Sequence, residues 1–471
     1  MRTFAFLPFL FCLLLARLTI PAQNLSGAWQ GTLDVQGTAL RLVFHLSPEG
    51  EGYTATMDSP DQGATGIPVD AATFVDGQLT LVAEALQLQY QGTYQAEPEV
   101  IVGTFEQGGL SLPLTLERQV APIEPETRPQ DPTDQPYRSA DVTFPNESDD
   151  VTLAGTLTLP AEGRPEQVVV LISGSGPQDR NQELTTFNHR TFLVLADYLT
   201  RQGIGVLRYD DRGVGQSTGD FASATSEDFA RDAAAAVAYL RDQPNLAQAR
   251  VGLVGHSEGG MVAPMVASGL AEVDFLVLLA APGLPIDQLM LTQSEQAGRD
   301  AGTPEAARQA NRRLLTRIYA YLSTHPDAPR DSAKAALRVI FQEELAQFPP
   351  ATLAALGDTE TFTQRQIAGV ITPWFRYFIR FDPGDYLRQV EVPVLALTGS
   401  LDHQVAAEAN LAAIEAHLQA GHNPSATVRQ LDGLNHLFQT AQTGAVAEYR
   451  QIEETFAPKA MAVIAQWIRE Q

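Results

Sequence analysis

The stretch Val251-Gly252-Leu253-Val254-Gly255-His256-Ser257-Glu258-Gly259-Gly260 runs an apolar segment straight into a hydroxyl set between two glycines. Residues 255–259 have the form G-x-S-x-G. A chain that turns from a buried strand directly into a helix forces the turning residue into a strained backbone conformation. Glycines two places to either side leave room for strand and helix to approach each other. The context fits: residues 251–254 read as an apolar strand, and the small residues of 260–268 read as a helix. The alternative is a tight turn with an incidental serine, and the strand–turn–helix setting favours a nucleophile at Ser257.

A serine at its free pKa is a poor nucleophile, so it needs a base and a carboxylate to orient that base. With this turn, the acid and then the histidine are expected on loops after later strands. Residues 392–398 are an apolar strand that runs into Gly399-Ser400-Leu401-Asp402, and 426–431 are a weaker strand that leads to Asn435-His436. Asp402 follows Ser257 by 145 residues and precedes His436 by 34. The competitors are weaker. His403 adjoins the acid, His417 lies within a helical stretch, and His256 is the variable position of the turn. His189, His325 and His422 lack a strand end, and Asp432 sits only four residues before His436. Glu258 is an unusual neighbour for a nucleophile; it either tunes the polarity of the entrance or points to solvent.

The chain has 471 residues, enough for two or three domains. Hydrophobic residues make up 44% and charged residues 18%, which allows a large core. The formal charge is −25, with 56 acidic against 31 basic residues. Such a balance argues against nucleic acid as a partner, because phosphate binding needs a positive patch. Arg2, the apolar run 4–16 and Ile20-Pro21-Ala22 read as a signal peptide over 1–22, which implies a secreted or periplasmic protein. The apolar run is too short for a comfortable membrane span. The single cysteine, Cys12, lies in this segment. The mature chain is therefore expected to hold no disulfide, cysteine nucleophile or thiolate metal site.

Residues 24–119 read as a small all-β domain, a barrel or sandwich. Leu40, Leu42, Phe44 and Leu46 alternate with other residues, as do Leu86, Leu88 and Tyr90, and then Leu110, Leu112, Leu114 and Leu116. His45 is expected to be a strand residue rather than a ligand. Residues 120–138 carry five prolines among acidic residues and read as a semi-rigid linker. From 139 to 471 apolar strands at 151–159, 168–173, 205–209, 251–255, 275–280, 392–398 and 426–431 alternate with helices. Among these helices are 192–201, 227–241, 406–419 and 447–469. This pattern predicts a mostly parallel sheet covered on both faces. Residues 286–387 break the alternation with successive helices, including 306–321 and 332–345, as a lid or cap would.

Residues 139–471 resemble the α/β-hydrolase superfamily, and in particular secreted bacterial carboxylesterases near its serine-aminopeptidase-type branch. The resemblance is carried by residues 171–181, by Tyr209-Asp210-Asp211-Arg212-Gly213-Val214-Gly215-Gln216-Ser217, by 255–259, by 399–402 and by Asn435-His436. It implies an α/β-hydrolase fold with a helical cap insertion over about 286–387, following the small N-terminal all-β domain. It also implies that the oxyanion donors are the backbone N–H groups of Ser175 and Glu258. Ser173-Gly174 stands where the usual His-Gly opens that loop, and Gly176 could shift the register.

Asp179, Arg180, Asp210, Asp211 and Arg212 are expected to fix loops. The aromatic run 371–381 offers Trp374 and Phe375 as substrate-binding residues or as cap core. The expected function is hydrolysis of small-molecule carboxylic esters through Ser257, His436 and Asp402, without metal or cofactor. Two alternatives keep the machinery and change the leaving group, a thioesterase or an aminopeptidase whose cap acids Glu343, Glu344 or Asp358 hold the amine. A third makes the protein chiefly an envelope or carbohydrate binder through its β domain.

Overall fold

A computed structural model describes residues 24–119, apart from 36–37, 51, 61–63 and 108–109, and residues 127–471. The expected signal peptide, Cys12 and residues 120–126 of the expected linker lie outside the described residues. The described residues up to 119 form one compact unit, and those from 127 form a second.

The first unit is a closed barrel of eight antiparallel strands in sequence order, from Gly27–Val35 to Leu110–Arg118. The first strand pairs with the last at Trp29 and Arg118. Period-two alternation turns Leu42, Phe44 and Leu46 inward with Trp29, Leu79, Tyr90 and Leu114, which fill the interior. Leu86 departs from its expected set and ends a short 3₁₀ turn, Glu84–Leu86. The Tyr90 hydroxyl donates to the Ile101 carbonyl at 2.9 Å, so its one polar atom is satisfied inside the barrel. His45 is a strand residue whose Nε2 meets Asp58 on the neighbouring strand at 2.6 Å.

The second unit is built on an eight-stranded sheet. Its strands are β1 (Arg138–Asn146), β2 (Val151–Leu159), β3 (Gln167–Ile172), β4 (Gly205–Tyr209), β5 (Arg250–His256), β6 (Phe275–Leu279), β7 (Val394–Gly399) and β8 (Ala426–Leu431). Their order across the sheet is β8-β7-β6-β5-β3-β4-β2-β1. Strands β3 to β8 run parallel, and β2 pairs antiparallel to both β4 and β1. The apolar runs are continuous because both faces are covered. On β3, Val168, Val170 and Ile172 join the core under α2 (Ser226–Arg241). Val169 and Leu171 join the core under α1 (Thr191–Arg201) and α12 (Pro458–Arg469). β1 escaped sequence reading because it lies at the sheet edge, with most of its residues exposed.

Three expectations shift. The segment read as a linker belongs to the second unit from residue 127 on. There Arg128 is buried, and its guanidinium donates to Thr455 Oγ1 at 3.0 Å and to the Phe187 and Asn188 carbonyls at 3.2 Å. The single helix expected over 447–469 is a 3₁₀ turn, Val446–Gln451, followed by α12. Pro458 lacks an N–H and can only begin that helix. The helix after Ser257 is α3 (Gly259–Met265), passing into a wider π turn, Val266–Leu270.

Seven helices fall between β6 and β7 and make the cap: α4 (Ile286–Asp300), α5 (Glu305–Thr324), α6 (Arg330–Leu345), α7 (Pro350–Leu356), α8 (Thr359–Val370), α9 (Pro373–Phe378) and α10 (Gly384–Leu387). Among the described residues no helix is long and apolar enough to cross a membrane.

β5 carries the nucleophile turn, and Gly252 lets β6 pack beside it. A Cβ on Gly252 would lie 2.1 Å from Cε2 of Phe275. Gly252→Ala is expected to destabilise the second unit by about 1–3 kcal/mol through overpacking, and Phe275→Leu in the same chain should recover part of the loss. Denaturant melts of the two variants test this.

Candidate active site

The turn after β5 is set by crowding. Ser257 has φ 55°, a left-handed conformation for a residue with a Cβ, held while its N–H donates to the Leu279 carbonyl at 2.9 Å. Added Cβ atoms would lie 2.0 Å from the Gly259 carbonyl oxygen at Gly255, and 2.1 Å from the Ile172 carbonyl oxygen at Gly259. Glycine is required at both, and the strain at Ser257 is maintained by the packing around it. Its side chain rises where the parallel strands end.

The three side chains singled out by spacing meet there. His436 Nε2 lies 3.2 Å from Ser257 Oγ, and His436 Nδ1 lies 2.8 Å from Asp402 Oδ2. Asp402 Oδ1 accepts from the backbone N–H groups of Gln404 and Val405 at 2.9 and 2.8 Å, which fixes the carboxylate. Both Asp402 and His436 are buried. Asn435, fully buried, accepts from the Leu437 and Gln439 N–H groups at 3.1 and 2.9 Å and so shapes the loop that carries His436.

The competing residues are engaged elsewhere. His403 pairs with Asp300 of α4 at 2.8 Å, Asp432 accepts from Ser400 Oγ at 3.1 Å, and His417 meets Arg388 at 3.1 Å.

His256, passed over in the sequence as a variable position, is buried against the loop that carries His436. Its Nε2 donates to the His436 carbonyl at 2.9 Å, and its Nδ1 accepts from Gln182 Nε2 at 2.9 Å. Only the neutral Nε2–H tautomer satisfies both contacts. Burial, with the neighbouring His436 adding to it, pushes the His256 pKa down to about 3. Its alternation with Gly255 along β5 carried no sign of this role.

The loop 174–176 passes beside the nucleophile, since a Cβ on Gly174 would come 3.2 Å from Ser257 Cβ. Asp211 holds both ends of the loop. It accepts from Ser173 Oγ at 2.8 Å and from the Gln178 N–H at 2.9 Å, and burial pushes its pKa up to about 8. Arg180 forks onto Asp210 at 3.0 and 2.7 Å, and Arg212 forks onto Asp232 at 2.7 Å twice. These charges brace loops. Ser175 is exposed beside the turn, and the Glu258 N–H stands at the start of α3, where a helix leaves its first amides without an internal acceptor.

Two readings of side chains are narrowed by burial. The Glu258 side chain does not point to solvent: it is 3% exposed, and its Oε1 accepts from Ser226 Oγ at 2.5 Å and from Trp374 Nε1 at 2.9 Å. Burial raises its pKa against those hydrogen bonds. Phe375 is buried in the cap core, near the rings of Trp374 and Tyr319, so of the two proposed substrate-binding aromatics only Trp374 keeps exposed surface. A separate cavity of about 550 Å³ lies between α4, α5 and residues 403–404 and 445–447, with Met290, Leu315, Tyr319, Gln404 and Val446 in its walls.

Neutral His256 makes stability acid-sensitive. Its folded pKa lies below the ordinary histidine value, so the unfolded chain binds the extra proton as pH falls through about 6.5 toward 3. The stability advantage of wild type over His256→Asn is therefore expected to be largest above pH 7. It should narrow by up to about 1.4 kcal/mol per pH unit on acidification to pH 5. Urea melts of both proteins at pH 7, 6 and 5 measure this.

Comparison with known proteins agrees with this architecture. The pattern of the alpha/beta hydrolase family matches residues 169–449, more than half of the chain. The esterase EstD of Thermotoga maritima is 30% identical over 213 residues, 43% of this chain and 50% of that protein. The chain therefore matches only half the length of that relative. Among solved structures, an esterase of Pyrococcus furiosus shares 14% identity at a TM-score of 0.43, covering 71% of this chain and 91% of its own. A proline iminopeptidase of Mycobacterium smegmatis shares 19% at 0.41, covering 70% and 98%. The chain belongs to the alpha/beta hydrolase family.

Proposed function

We propose that this protein is a serine carboxylesterase, and that the 3.2 and 2.8 Å contacts from Ser257 through His436 to Asp402 are its catalytic relay. In this reading Ser257 Oγ attacks the ester carbonyl while His436 Nε2 takes its proton. Asp402 holds the imidazole by Nδ1–H and stabilises its cationic form. The backbone N–H groups of Glu258 and of the 174–176 loop, with Ser175 as the expected residue, receive the oxyanion; each such donor contributes about 3–4 kcal/mol. His436 returns the proton to the departing alcohol. Water, activated by the same imidazole, then releases the acid.

An ester is favoured over an amine-terminal peptide by what the cap acids do. Glu344 and Glu343 pair with Arg317 at 2.9 and 2.6 Å, and Asp358 caps α8 through the Thr361 N–H at 2.8 Å. Glu343 and Asp358 are thus engaged, and Glu344, whose second oxygen has no hydrogen-bond partner, is buried within the cap. The apolar cavity between α4 and α5 supports an ester with an apolar acyl chain, because its volume suits a small ligand. Nothing about the site distinguishes an oxygen from a sulfur leaving group, so thioesters belong in the same assay. The filled barrel interior speaks against ligand capture there, and a supporting role for that unit is the simpler reading. From the signal-like sequence at residues 1–22 we infer that this chemistry takes place in the periplasm or outside the cell.

Ser257→Ala is expected to lower kcat on p-nitrophenyl butyrate by about a thousandfold or more, and to abolish labelling by a fluorophosphonate. An active, labelled Ser257→Ala protein would overturn the assignment. Across a panel of p-nitrophenyl esters of graded chain length, Met290→Trp should move the preferred acyl chain to a shorter one. An unchanged preference would remove the cavity from the substrate path.

A further inference from the structure

Glu258 sits where the turn at Ser257, the cap and the 174–176 loop come within reach of a single side chain. Its Oε1 is held by Ser226 Oγ, on the first residue of α2, and by the indole N–H of Trp374 near the start of α9. α2 is itself anchored, since the Thr225 N–H donates to Asp228 at 2.7 Å in a capping box. The Glu258 Oε2 is buried and has no partner among the protein atoms. Glu258 lines a cavity of about 10 Å³ together with Ser173, Gly174 and Asp211, the residues that support the loop beside Ser257. Trp374 in turn stacks on Phe378 at 4.7 Å and meets Phe375 at 6.0 Å, so its indole is rigidly part of the cap.

A buried carboxyl with one oxygen unpaired is unfavourable at a turn. Its placement makes sense if the side chain holds its own backbone. Glu258 offers the candidate oxyanion N–H from the same residue whose side chain is gripped by the cap. A cap that shifts away releases the Trp374 bond and leaves the Ser257–Glu258 peptide to the Gly260 N–H, which donates to the Ser257 carbonyl oxygen at 2.9 Å. A cap that seats fixes the Glu258 N–H toward the serine.

We propose that the Glu258 side chain is a positioning residue that couples the seating of the cap, through Trp374, to the orientation of the oxyanion donor next to Ser257. The proposal rests on the serine-esterase reading above. It differs from a substrate-lining role for Trp374 in a measurable way. A lining residue affects esters long enough to reach it, whereas the coupling affects the chemical step for every ester.

The test uses the full chain and p-nitrophenyl acetate, whose acyl group is too short to use the cap cavity. Trp374→Phe, which removes the N–H and keeps an aromatic ring, should lower kcat about tenfold with KM changed by less than about twofold. Glu258→Ala should lower kcat at least as much. The double variant should lose no more than Glu258→Ala alone, because both act through one bond. Glu258→Gln, which retains an oxygen to accept from Trp374 and Ser226, should recover most of the Glu258→Ala loss. Should Glu258→Ala fail to fold, Trp374→Phe and Glu258→Gln still carry the test. Full kcat on the acetate in Trp374→Phe would overturn the coupling, as would losses that multiply in the double variant. Fluorophosphonate labelling of wild-type Ser257 is run alongside. Labelling with unchanged Trp374→Phe kinetics sinks the coupling alone, and absence of labelling sinks the esterase reading and the coupling with it.

Discussion

The site depends on a steric constraint: a serine held at positive φ between two glycines that admit no Cβ. With the carbonyl oxygens of Gly259 and Ile172 about 2 Å from where those Cβ atoms would stand, β5, β3 and α3 meet closer than any other residue permits. That closeness lifts Ser257 clear of the sheet and aims the first amides of α3 at the same space. The strain at Ser257 is affordable only because the surrounding strands are buried on both faces and do not yield.

Around this rigid point, the other groups arrive by independent routes that the parallel sheet brings together. β7 ends at Gly399 and delivers Asp402, and β8 ends at Leu431 and delivers His436. Neighbouring strands in register place their C-terminal ends side by side, so residues 179 and 34 positions apart become hydrogen-bonded neighbours. The loops that carry them are then fixed from below, Asp402 by two backbone amides and His436 by the Asn435 turn and the His256 clamp. The catalytic relay proposed for these residues needs orientation of this kind.

Much of this was legible in the sequence because apolar period and glycine placement report directly on backbone packing. The strands 151–159, 205–209 and 426–431 have the bounds that their apolar runs suggested, and the seven cap helices fill the stretch where strand alternation ceases. What escaped had a physical reason. β1 is an edge strand with exposed side chains, so it carries no apolar run. Arg128 anchors its segment through carbonyl groups, which have no residue signature. His256 and Glu258 occupy positions that the turn motif leaves open, and their roles come from partners 180 and 116 residues away. Nothing local to either residue announces such contacts.

The contrast between His256 and Glu258 shows how one turn supports two different demands. Both flank Ser257 and both are buried, yet one is a base driven neutral and the other an acid whose proton is held more tightly than usual. Burial disfavours charge on both, pushing the imidazole pKa down and the carboxyl pKa up. In the proposed reaction an imidazolium at His256 would repel the positive charge that His436 takes up as base, and the low His256 pKa avoids this. Burial therefore contributes to chemistry as well as to packing. The sheet and cap exclude water from the two residues beside the nucleophile, and that exclusion keeps the electrostatic field at Ser257 under the control of the backbone amides and of Asp402.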